Sequence, residues 1–344
     1  MAATFDFIKR LGSGHFGEVW LATDTGLGVQ RAVKLIRPDK IINPSNFFHE
    51  AQLLKMAEHP AIVQVQETGT LSDGTIYVAM EYLSKGSLED EAKGAYVPLS
   101  RAKRLMVDVL RGLEYAHSKG IIHRDIKPAN ILIGDALQGK LSDFGLAITK
   151  GSISKSIGVK DYAYIIQLAP EINTISDYSV ASDIFACGVT LYRLVNGDSY
   201  LPRLTLDKVR DGIVNGTYPD RNRYREFIPR QLRRTINKAM SIDPSARFQS
   251  AEALRHAIEQ VPTLVNWNEK SLPDRTRWTF GRENECVEVE HVMIPSGKCT
   301  VQTKKGCSKH SLRRITKLCR YDISEKEALK FSQGILQGFV LGEF

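Results

Sequence analysis

A short segment near the middle of the chain carries three side chains suited to phosphate chemistry. Residues 123–130 read His-Arg-Asp-Ile-Lys-Pro-Ala-Asn, which places Asp125, Lys127 and Asn130 on one predicted loop. Phosphoryl transfer needs a carboxylate that orients the attacking hydroxyl and accepts its proton, and it needs ligands for a metal ion. Further along the chain a second carboxylate, Asp143, is followed by Phe-Gly. The residue types and their spacing predict a loop that handles phosphate and a divalent cation.

These two segments resemble the catalytic and metal-binding motifs of eukaryotic-type protein kinases. The lysine at position 127 resembles the lysine that serine/threonine kinases carry in this loop, whereas a tyrosine kinase would carry Ala or Arg near that position. The resemblance implies that Asp125 positions and deprotonates the substrate hydroxyl and that Lys127 neutralises charge on the γ-phosphoryl group. It also implies that Asn130 and Asp143 hold Mg²⁺.

A glycine-rich segment near the start of the chain predicts a nucleotide-binding hairpin. Gly12, Gly14 and Gly17 allow a tight turn whose backbone N–H groups point at phosphates. Dinucleotide-binding domains share this spacing, but there a helix follows, whereas residues 18–22 continue as a strand. The kinase resemblance extends to this segment and places Val19 over the adenine ring. A structural hairpin without a ligand is the alternative.

A strand and a helix complete the predicted phosphate site. The strand Arg-Ala-Val-Lys-Leu-Ile resembles the kinase strand whose lysine, here Lys34, holds the α- and β-phosphates, with Ala32 against adenine. Apolar positions at helical spacing predict a helix over residues 46–56, and Glu50 on this helix would orient Lys34. Glu58 is the alternative partner of Lys34. Alternatively, Glu50 and Lys34 form a surface ion pair that contributes little to stability.

The strand that ends at Met80 leads into a predicted hinge between two lobes. By resemblance Met80 is the gatekeeper residue, and the backbone groups of Glu81 and Leu83 bond adenine. Leu132, shortly after the catalytic segment, completes the predicted nucleotide contacts. The cofactors that the resemblance implies are therefore ATP and Mg²⁺.

Three further segments resemble the scaffold of a kinase. Residues 99–119 have the apolar stripe of an amphipathic helix, with Ser100 as its predicted N-cap. Asp183 resembles the buried aspartate that caps the backbone of the catalytic loop. Arg247 resembles the arginine that pairs with the glutamate of Ala-Pro-Glu, here Glu171.

The segment before Ala-Pro-Glu departs from the family pattern. Kinases place a Thr or Ser and then a bulky Tyr or Trp there, whereas residues 162–168 read Tyr-Ala-Tyr-Ile-Ile-Gln-Leu. The Thr that contacts the catalytic aspartate and lysine is absent at its usual offset, so the resemblance implies no substrate sequence. Arg124 is predicted to pair with a phosphate on one of four nearby hydroxyls, those of Thr149, Ser152, Ser154 and Ser156.

The last part of the chain has the pattern of a small α+β domain. Residues 285–294 and 299–303 alternate between apolar and polar side chains on either side of Pro-Ser-Gly, which predicts a hairpin, and residues 315–321 predict another strand. Ser324 and Glu327 form a capping box before a final helix.

The predicted fold class is α+β. We expect a two-lobed protein-kinase fold with a β-rich N-lobe and a helical C-lobe, followed by a small C-terminal α+β domain. The expected boundaries are 1–82 for the N-lobe, 83–260 for the C-lobe, 261–276 for a linker and 277–344 for the accessory domain.

Part of the net charge of +8 is concentrated in residues 298–321, which hold eight basic residues and no acidic one. This stretch is compatible with binding to the phosphates of a nucleic acid, although the aromatic residues of a stacking surface are missing. A solvated face and a docking or self-association surface are the alternatives. A zinc site is disfavoured because no Cys-x-x-Cys pair occurs among Cys286, Cys299, Cys307 and Cys319.

Composition restricts the class of protein. We find no run of about 18 apolar residues, so no membrane span is predicted, and the first residues lack the pattern of a secretory signal. Five cysteines are few and odd in number, which favours reduced thiols and a cytoplasmic location.

The sequence thus predicts an ATP- and Mg²⁺-dependent serine/threonine kinase that acts on a protein substrate and on itself. The alternatives are a pseudokinase scaffold, a small-molecule kinase, and a kinase directed to a nucleic-acid-bound partner by residues 298–321. Lys127, Ala-Pro-Glu and Arg247 disfavour the small-molecule kinase, because in the family they build a platform for peptides. The oligomeric state is not predicted.

Overall fold

The computed structural model describes most of both predicted lobes and all of the C-terminal part. The described residues are 5–14, 17–36, 58–93, 96–144, 165–172 and 178–344. Glu50 with its predicted helix, and the four candidate hydroxyls of the activation segment, lie outside these ranges. Among the described helices, none combines the length and apolar character required to cross a lipid bilayer.

A five-stranded antiparallel sheet forms the N-lobe, in the order β1-β2-β3-β5-β4. Its strands are β1 (Phe5–Gly14), β2 (Gly17–Asp24), β3 (Val29–Ile36), β4 (Val65–Thr70) and β5 (Ile76–Glu81). The apolar side chains of β5 alternate between two clusters, since Val78 joins the main core and Tyr77 joins a smaller cluster on the opposite face. The glycine-rich segment connects two strands, as predicted, and does not lead into a helix.

Helices form the C-lobe. In chain order they are α1 (Glu89–Ala92), α2 (Leu99–Ser118), α3 (Val180–Asn196), α4 (Leu206–Val214), α5 (Arg230–Ala239) and α6 (Ala251–Glu259). A two-stranded sheet of β6 (Ile131–Ile133) and β7 (Gly139–Leu141) lies between α2 and α3 in the chain. Helix α3 is the centre of the lobe, because every residue from Ser182 to Asn196 is buried.

Helix α2 confirms the predicted amphipathic helix. The residues of its predicted stripe are all fully buried, namely Leu105, Val109, Leu113 and Ala116. The prediction of Ser100 as the N-cap is wrong, because Pro98 occupies that position and Ser100 lies in the first turn. Proline has no side-chain oxygen to accept from the first turn. The backbone N–H of Ser100 instead donates to Asn266 Oδ1 at 2.9 Å.

The C-terminal part is a second antiparallel sheet with one helix packed on it. Its elements are β8 (Asn268–Leu272), β9 (Arg275–Arg282), β10 (Glu285–Met293), β11 (Cys299–Gly306), β12 (Arg313–Arg314), β13 (Arg320–Ile323) and α7 (Glu325–Leu341). Strands β10 and β11 confirm the predicted hairpin. Helix α7 starts with the predicted capping box, in which Ser324 Oγ accepts from Glu327 N.

The predicted strand over residues 315–321 is only partly correct. A 3₁₀ turn spans Thr316–Leu318, and β13 begins at Arg320. Ile315 and Leu318 pack against the core with a spacing of three, which matches a turn, and the adjacent Cys319 is buried as well. The period of two that a strand requires is therefore absent there.

The structure differs from the predicted linker over residues 261–276. Strand β8 and the start of β9 fall inside that range, and Val261, Val265 and Trp267 are buried. The prolines that suggested a linker are compatible with this fold, because Pro273 occupies the turn between β8 and β9. The connection to the second sheet is therefore packed against the protein through Val261, Val265 and Trp267, while Pro262, Leu264 and Asn266 between them are exposed.

A buried ion pair joins the second sheet to the C-lobe. Arg225 Nη1 lies 2.6 Å from Glu269 Oε1 on β8, and both side chains are about nine-tenths buried. The guanidinium group of Arg225 also stacks over Tyr96 at 4.3 Å and over Tyr200 at 4.7 Å. Trp278 Nε1 donates to the second oxygen of Glu269 at 3.0 Å. Charge, stacking and hydrogen bonding thus fix the two units together.

We predict that Arg225→Met lowers the free energy of unfolding by roughly 3–5 kcal/mol, because Glu269 would remain buried without its counter-ion. Equilibrium urea unfolding followed by tryptophan fluorescence measures the change. Arg275→Met is the matched control, since Arg275 pairs with Asp274 on the surface, and it should leave the stability unchanged. Equal, small effects of the two substitutions would show that the buried pair does not join the units.

Candidate active site

Asp183 on α3 holds the predicted catalytic loop by its backbone. Its side chain is 1% exposed, and its two oxygens accept from His123 N at 2.8 Å and Arg124 N at 2.9 Å. His117 Nε2, near the end of α2, lies 2.9 Å from the same carboxylate. The predicted role of Asp183 as a cap of this loop is confirmed. The charge that it buries is offset by these three contacts.

Two residues of the site adopt left-handed backbone conformations. Arg124 has a φ of 72° and Asp143 a φ of 54°. Such angles are rare for residues other than glycine and cost on the order of 1–3 kcal/mol. The hydrogen bond from Arg124 N to Asp183 stabilises the first of them. The left-handed residues place a bend directly before Asp125 and a bend at Asp143, and Asp143 lines a pocket with Lys34 and Met80.

Lys127 and Asn130 orient the carboxylate of Asp125. Lys127 Nζ lies 2.9 Å from Asp125 Oδ2, and Asn130 Nδ2 donates to the same oxygen at 2.8 Å. The other oxygen, Oδ1, is buried and has no hydrogen-bond partner among the described residues. Burial raises the pKa of Asp125 above its usual range, although Lys127 opposes the shift. One oxygen is thus held, and the other is available to accept a proton.

Asp143 lies beside the predicted phosphate-binding lysine. Lys34 Nζ is 2.8 Å from Asp143 Oδ1. Burial by itself would raise the pKa of Asp143, but Lys34 and Lys127 outweigh burial and hold the pKa below its usual range. The carboxylate therefore stays ionised, as a metal ligand must be. The structure brings Lys34 and Asp143 into one pocket, and Lys127, which bonds Asp125, is near enough to Asp143 to lower its pKa.

The small sheet of β6 and β7 places Asn130 next to Asp143. Ser142 N donates to Asn130 O at 2.9 Å, which fixes the residue before Asp143 against the end of the catalytic loop. The side-chain nitrogen of Asn130 is committed to Asp125, so its amide oxygen is the group available to a cation. A carboxylate oxygen and an amide oxygen fit the preference of Mg²⁺ for oxygen ligands.

His123 packs behind the loop, as predicted, and takes no position in the cleft. It is completely buried, its ring lies 4.4 Å from that of Phe144, and its Nε2 is 3.1 Å from Ser142 O. Burial lowers the pKa of His123, so the ring is neutral near pH 7. The side chain holds the two segments together without adding charge.

The predicted adenine contacts share one face of the N-lobe sheet. In the strand register Val19 lies opposite Lys34, and Ala32 lies opposite Met80. Residues directly opposite each other on neighbouring strands project to the same face, so all four face together. Leu83 follows β5 and Leu132 lies in β6, and a bridge between Ser87 and Leu132 joins the two segments. Val19, Ala32 and Met80 thus share one face of the sheet, and Leu132 lies opposite the segment that follows Leu83.

The three glycines of the hairpin differ in whether the fold itself requires glycine at their position. Gly17 has a φ of 148°, and a Cβ there would lie 1.8 Å from Leu35 O on β3. The neighbouring strand therefore demands glycine at this position regardless of any ligand. A Cβ on Gly12 would meet nothing within 4 Å among the described atoms. The predicted phosphate contact is compatible with Gly12 and Gly14, which lie at the end of β1.

Sequence reasoning missed an ion pair that ties the hinge to β7. The carboxylate of Glu81 lies 2.5 Å from Lys140 Nζ and accepts from Gln64 N at 2.8 Å. Lys140 is 9% exposed and immediately precedes the residues that lead to Asp143. The available signal was a single lysine within a short buried strand. The side chain of Glu81 therefore has a structural role, while its backbone remains the predicted adenine contact.

Arg247 and Glu171 form the predicted bidentate pair, with Nη1–Oε1 and Nη2–Oε2 distances of 2.7 Å and 2.7 Å. The side chain of Arg247 is fully buried, and it also donates to Ala181 O at the start of α3. This contact anchors Ala-Pro-Glu on the helix that holds the catalytic loop.

The basic stretch is partly neutralised by neighbouring strands. Three of its lysines have a carboxylate oxygen within 3.0 Å, in the pairs Lys298–Asp322, Lys304–Glu288 and Lys305–Glu285. Cross-strand pairs of this kind stabilise a sheet. The local surplus of positive charge is therefore smaller than the sequence suggests.

We predict that Lys140→Met lowers the free energy of unfolding by about 1–3 kcal/mol, because the half-buried carboxylate of Glu81 loses its counter-ion. A double-mutant cycle with Glu81→Gln, measured by urea unfolding, isolates the pair. The double variant should be more stable than additivity of the two single variants predicts. Strict additivity would show that the hinge and β7 are not coupled through this contact.

Comparison with known proteins agrees with this arrangement. The profile of the family described as protein kinase domain matches residues 5–258. Serine/threonine-protein kinase PknD of Protochlamydia amoebophila is 30% identical over 84% of this chain and 33% of its own length. PknJ of Mycobacterium tuberculosis is 30% identical over 72% and 44%, and cds1 of Schizosaccharomyces pombe is 32% identical over 73% and 57%.

A solved structure shows the same fold. Rad53 residues 1–466, in complex with AMP-PNP, superimposes with a TM-score of 0.61 at 28% identity, over 74% of this chain and 65% of that chain. The chain spans between 33% and 57% of the length of these curated relatives. The match over residues 5–258, together with the motifs that meet in the cleft, shows that the chain belongs to the eukaryotic-type serine/threonine protein kinase family.

Proposed function

We propose that this chain is an ATP- and Mg²⁺-dependent protein kinase that transfers the γ-phosphoryl group to a serine or threonine hydroxyl of a protein, including its own. The observation that carries the proposal is the arrangement of Asp125, whose Oδ2 is held by Lys127 and Asn130 while Oδ1 accepts no bond from the described residues. A general base needs this combination of fixed position and free lone pairs.

The proposed chemistry follows from positions and charges. Asp125 Oδ1 orients the substrate hydroxyl and takes its proton, and Lys127 lies close enough to offset negative charge that develops on the phosphoryl oxygens. Lys34 grips the α- and β-phosphates, and Glu50 is proposed to orient Lys34. When bound, Mg²⁺ supplies positive charge at the phosphates, and Asn130 and Asp143 are its proposed ligands.

The nucleotide is proposed to lie between the lobes. Gly12, Gly14 and Gly17 cover its phosphates. The side chains of Val19, Ala32, Met80 and Leu132 contact its base, and the backbone groups of Glu81 and Leu83 hydrogen-bond to it. The shared face of the N-lobe strands supports this placement. The AMP-PNP bound to the structurally similar Rad53 supports ATP as the ligand.

The alternatives receive less support. A pseudokinase scaffold is disfavoured because the described carboxylates, lysines and asparagine are of the types that catalysis requires. A nucleic-acid-bound partner is disfavoured by the ion pairs that neutralise three lysines of residues 298–321. A cytoplasmic location is proposed because all five cysteines are free thiols. We further propose an N-lobe of residues 1–82, a C-lobe of 83–260, and an accessory domain that begins within residues 261–268.

We predict that Asp125→Asn lowers kcat for phosphorylation of a serine- or threonine-containing peptide by roughly 10²–10⁴-fold, because the general base is lost. Transfer from radiolabelled ATP measures this. Asp207→Asn is the control, since Asp207 is 90% exposed on α4, and it should retain full activity. Full activity of Asp125→Asn would contradict the assignment of the base.

We predict that Asp143→Asn removes the Mg²⁺-dependent part of nucleotide binding, because the substitution removes an ionised ligand. At a concentration of 100 times Kd, Mg-ATP should stabilise the wild-type protein by about 2.7 kcal/mol. Thermal unfolding with ATP, with and without Mg²⁺, measures the difference. If Mg-ATP stabilised the variant as much as it stabilises the wild-type protein, Asp143 would be excluded as a Mg²⁺ ligand.

A further inference from the structure

A small cavity lies behind the catalytic loop. The loop, the segment that leads into Ala-Pro-Glu and helix α3 all line it, and its walls include Asp125, Gln167, Leu168, Ser182 and Asp183. Its size corresponds to about one water molecule, which is the minimum that a buried hydration site requires.

Gln167 is a buried polar residue in this wall. Gln167 is 5% exposed. Its Oε1 lies 3.5 Å from the hydroxyl of Thr190 on α3. Within the described residues its Nε2 has no hydrogen-bond partner. A buried amide N–H without a partner is unfavourable. The kinase pattern has a bulky Tyr or Trp near this position, where this chain has glutamine.

Asp125 contributes a second group without a partner to the same wall. Its Oδ1 is buried, and no described residue donates to it. The Thr that contacts the catalytic aspartate in the family is absent at its usual offset. A donor, Gln167 Nε2, and an acceptor, Asp125 Oδ1, therefore belong to residues on the walls of one cavity.

We propose that one water molecule in this cavity accepts a hydrogen bond from Gln167 Nε2 and donates one to Asp125 Oδ1, so that Gln167 is a positioning residue for Asp125. A water between a donor and a carboxylate satisfies both buried groups, and such bridges are nearly as favourable as direct hydrogen bonds. This inference rests on the proposed function. It assigns to Gln167 the contact that the family makes through Thr.

The bridge leaves Asp125 free to act. Each carboxylate oxygen has two acceptor sites, so Oδ1 can hold the water with one and the substrate hydroxyl with the other. Lys127 and Asn130 fix Oδ2, and the water fixes Oδ1, which leaves the carboxylate plane little freedom to rotate. The bridge is therefore expected to affect the chemical step and not the binding of ATP.

The kinetic test uses two variants of the full chain. Gln167→Met keeps the length of the side chain and removes the donor, and Gln167→Glu keeps its shape and replaces the donor with an acceptor. Both should lower kcat by about 10-fold to 100-fold, which is the effect of one hydrogen bond to a charged group. KM for ATP and the thermal shift with Mg-ATP should remain those of the wild type. Unchanged kcat in both variants would overturn the proposal, as would a parallel loss of nucleotide binding.

A crystal structure of the wild-type chain tests the bridge independently of activity. Electron density for a water within hydrogen-bond distance of both Gln167 Nε2 and Asp125 Oδ1 is the expected result. A dry cavity, or a side chain that fills it, would overturn the proposal. If the wild-type chain shows the water but transfers no phosphoryl group, the proposed function is contradicted and the water bridge is still supported.

Discussion

The catalytic geometry depends on one buried carboxylate, that of Asp183. A charge in the centre of the C-lobe is unfavourable unless it is fully hydrogen-bonded, and here His117, His123 N and Arg124 N provide those bonds. The same contacts hold Arg124 in a left-handed conformation. Because helix α3 is buried and rigid, these contacts fix the position of the loop that carries Asp125. Arg247 extends this support, since it links Glu171 to the start of α3.

The environment shifts the pKa values of Asp125 and Asp143 in opposite directions. Burial raises the pKa of Asp125, whereas at Asp143 the nearby lysines outweigh burial and lower the pKa. A base works best when its pKa approaches the working pH, and a metal ligand must stay ionised. Environments that separate the pKa values of two nearby acids commonly separate their roles. The proposed division between a proton acceptor and a cation ligand follows from this difference.

Short motifs predicted much of the site because they encode local geometry. The loop from His123 to Asn130, the capping box at Ser324 and the pair of Arg247 with Glu171 all occur as expected. The pair of Arg247 with Glu171 joins segments 76 residues apart and was predicted because both belong to motifs of the family. Distant contacts that match no such motif could not be predicted in this way. Glu81 meets Lys140, and Asn266 meets the first turn of α2, through packing that no local pattern specifies. The role of Glu50 stays a prediction.

Buried contacts hold the second sheet against the C-lobe. The buried pair of Arg225 with Glu269, and the contact of Asn266 with Ser100, leave little freedom between them. The supposed linker was inferred from prolines, which can equally form the turn of a hairpin at Pro273. Trp267 in that segment also packs against Phe280 and Phe339, so the segment belongs to the core of the second sheet.

We propose that this cleft transfers a phosphoryl group to a protein hydroxyl. The most direct measurement is the mass of the intact protein, and of a mixture of serine- and threonine-containing peptides, after incubation with Mg-ATP. We expect phosphoryl additions on serine or threonine that disappear when Mg²⁺ is chelated. A wild-type protein that Mg-ATP stabilises against unfolding, but that phosphorylates neither itself nor any peptide, would contradict it.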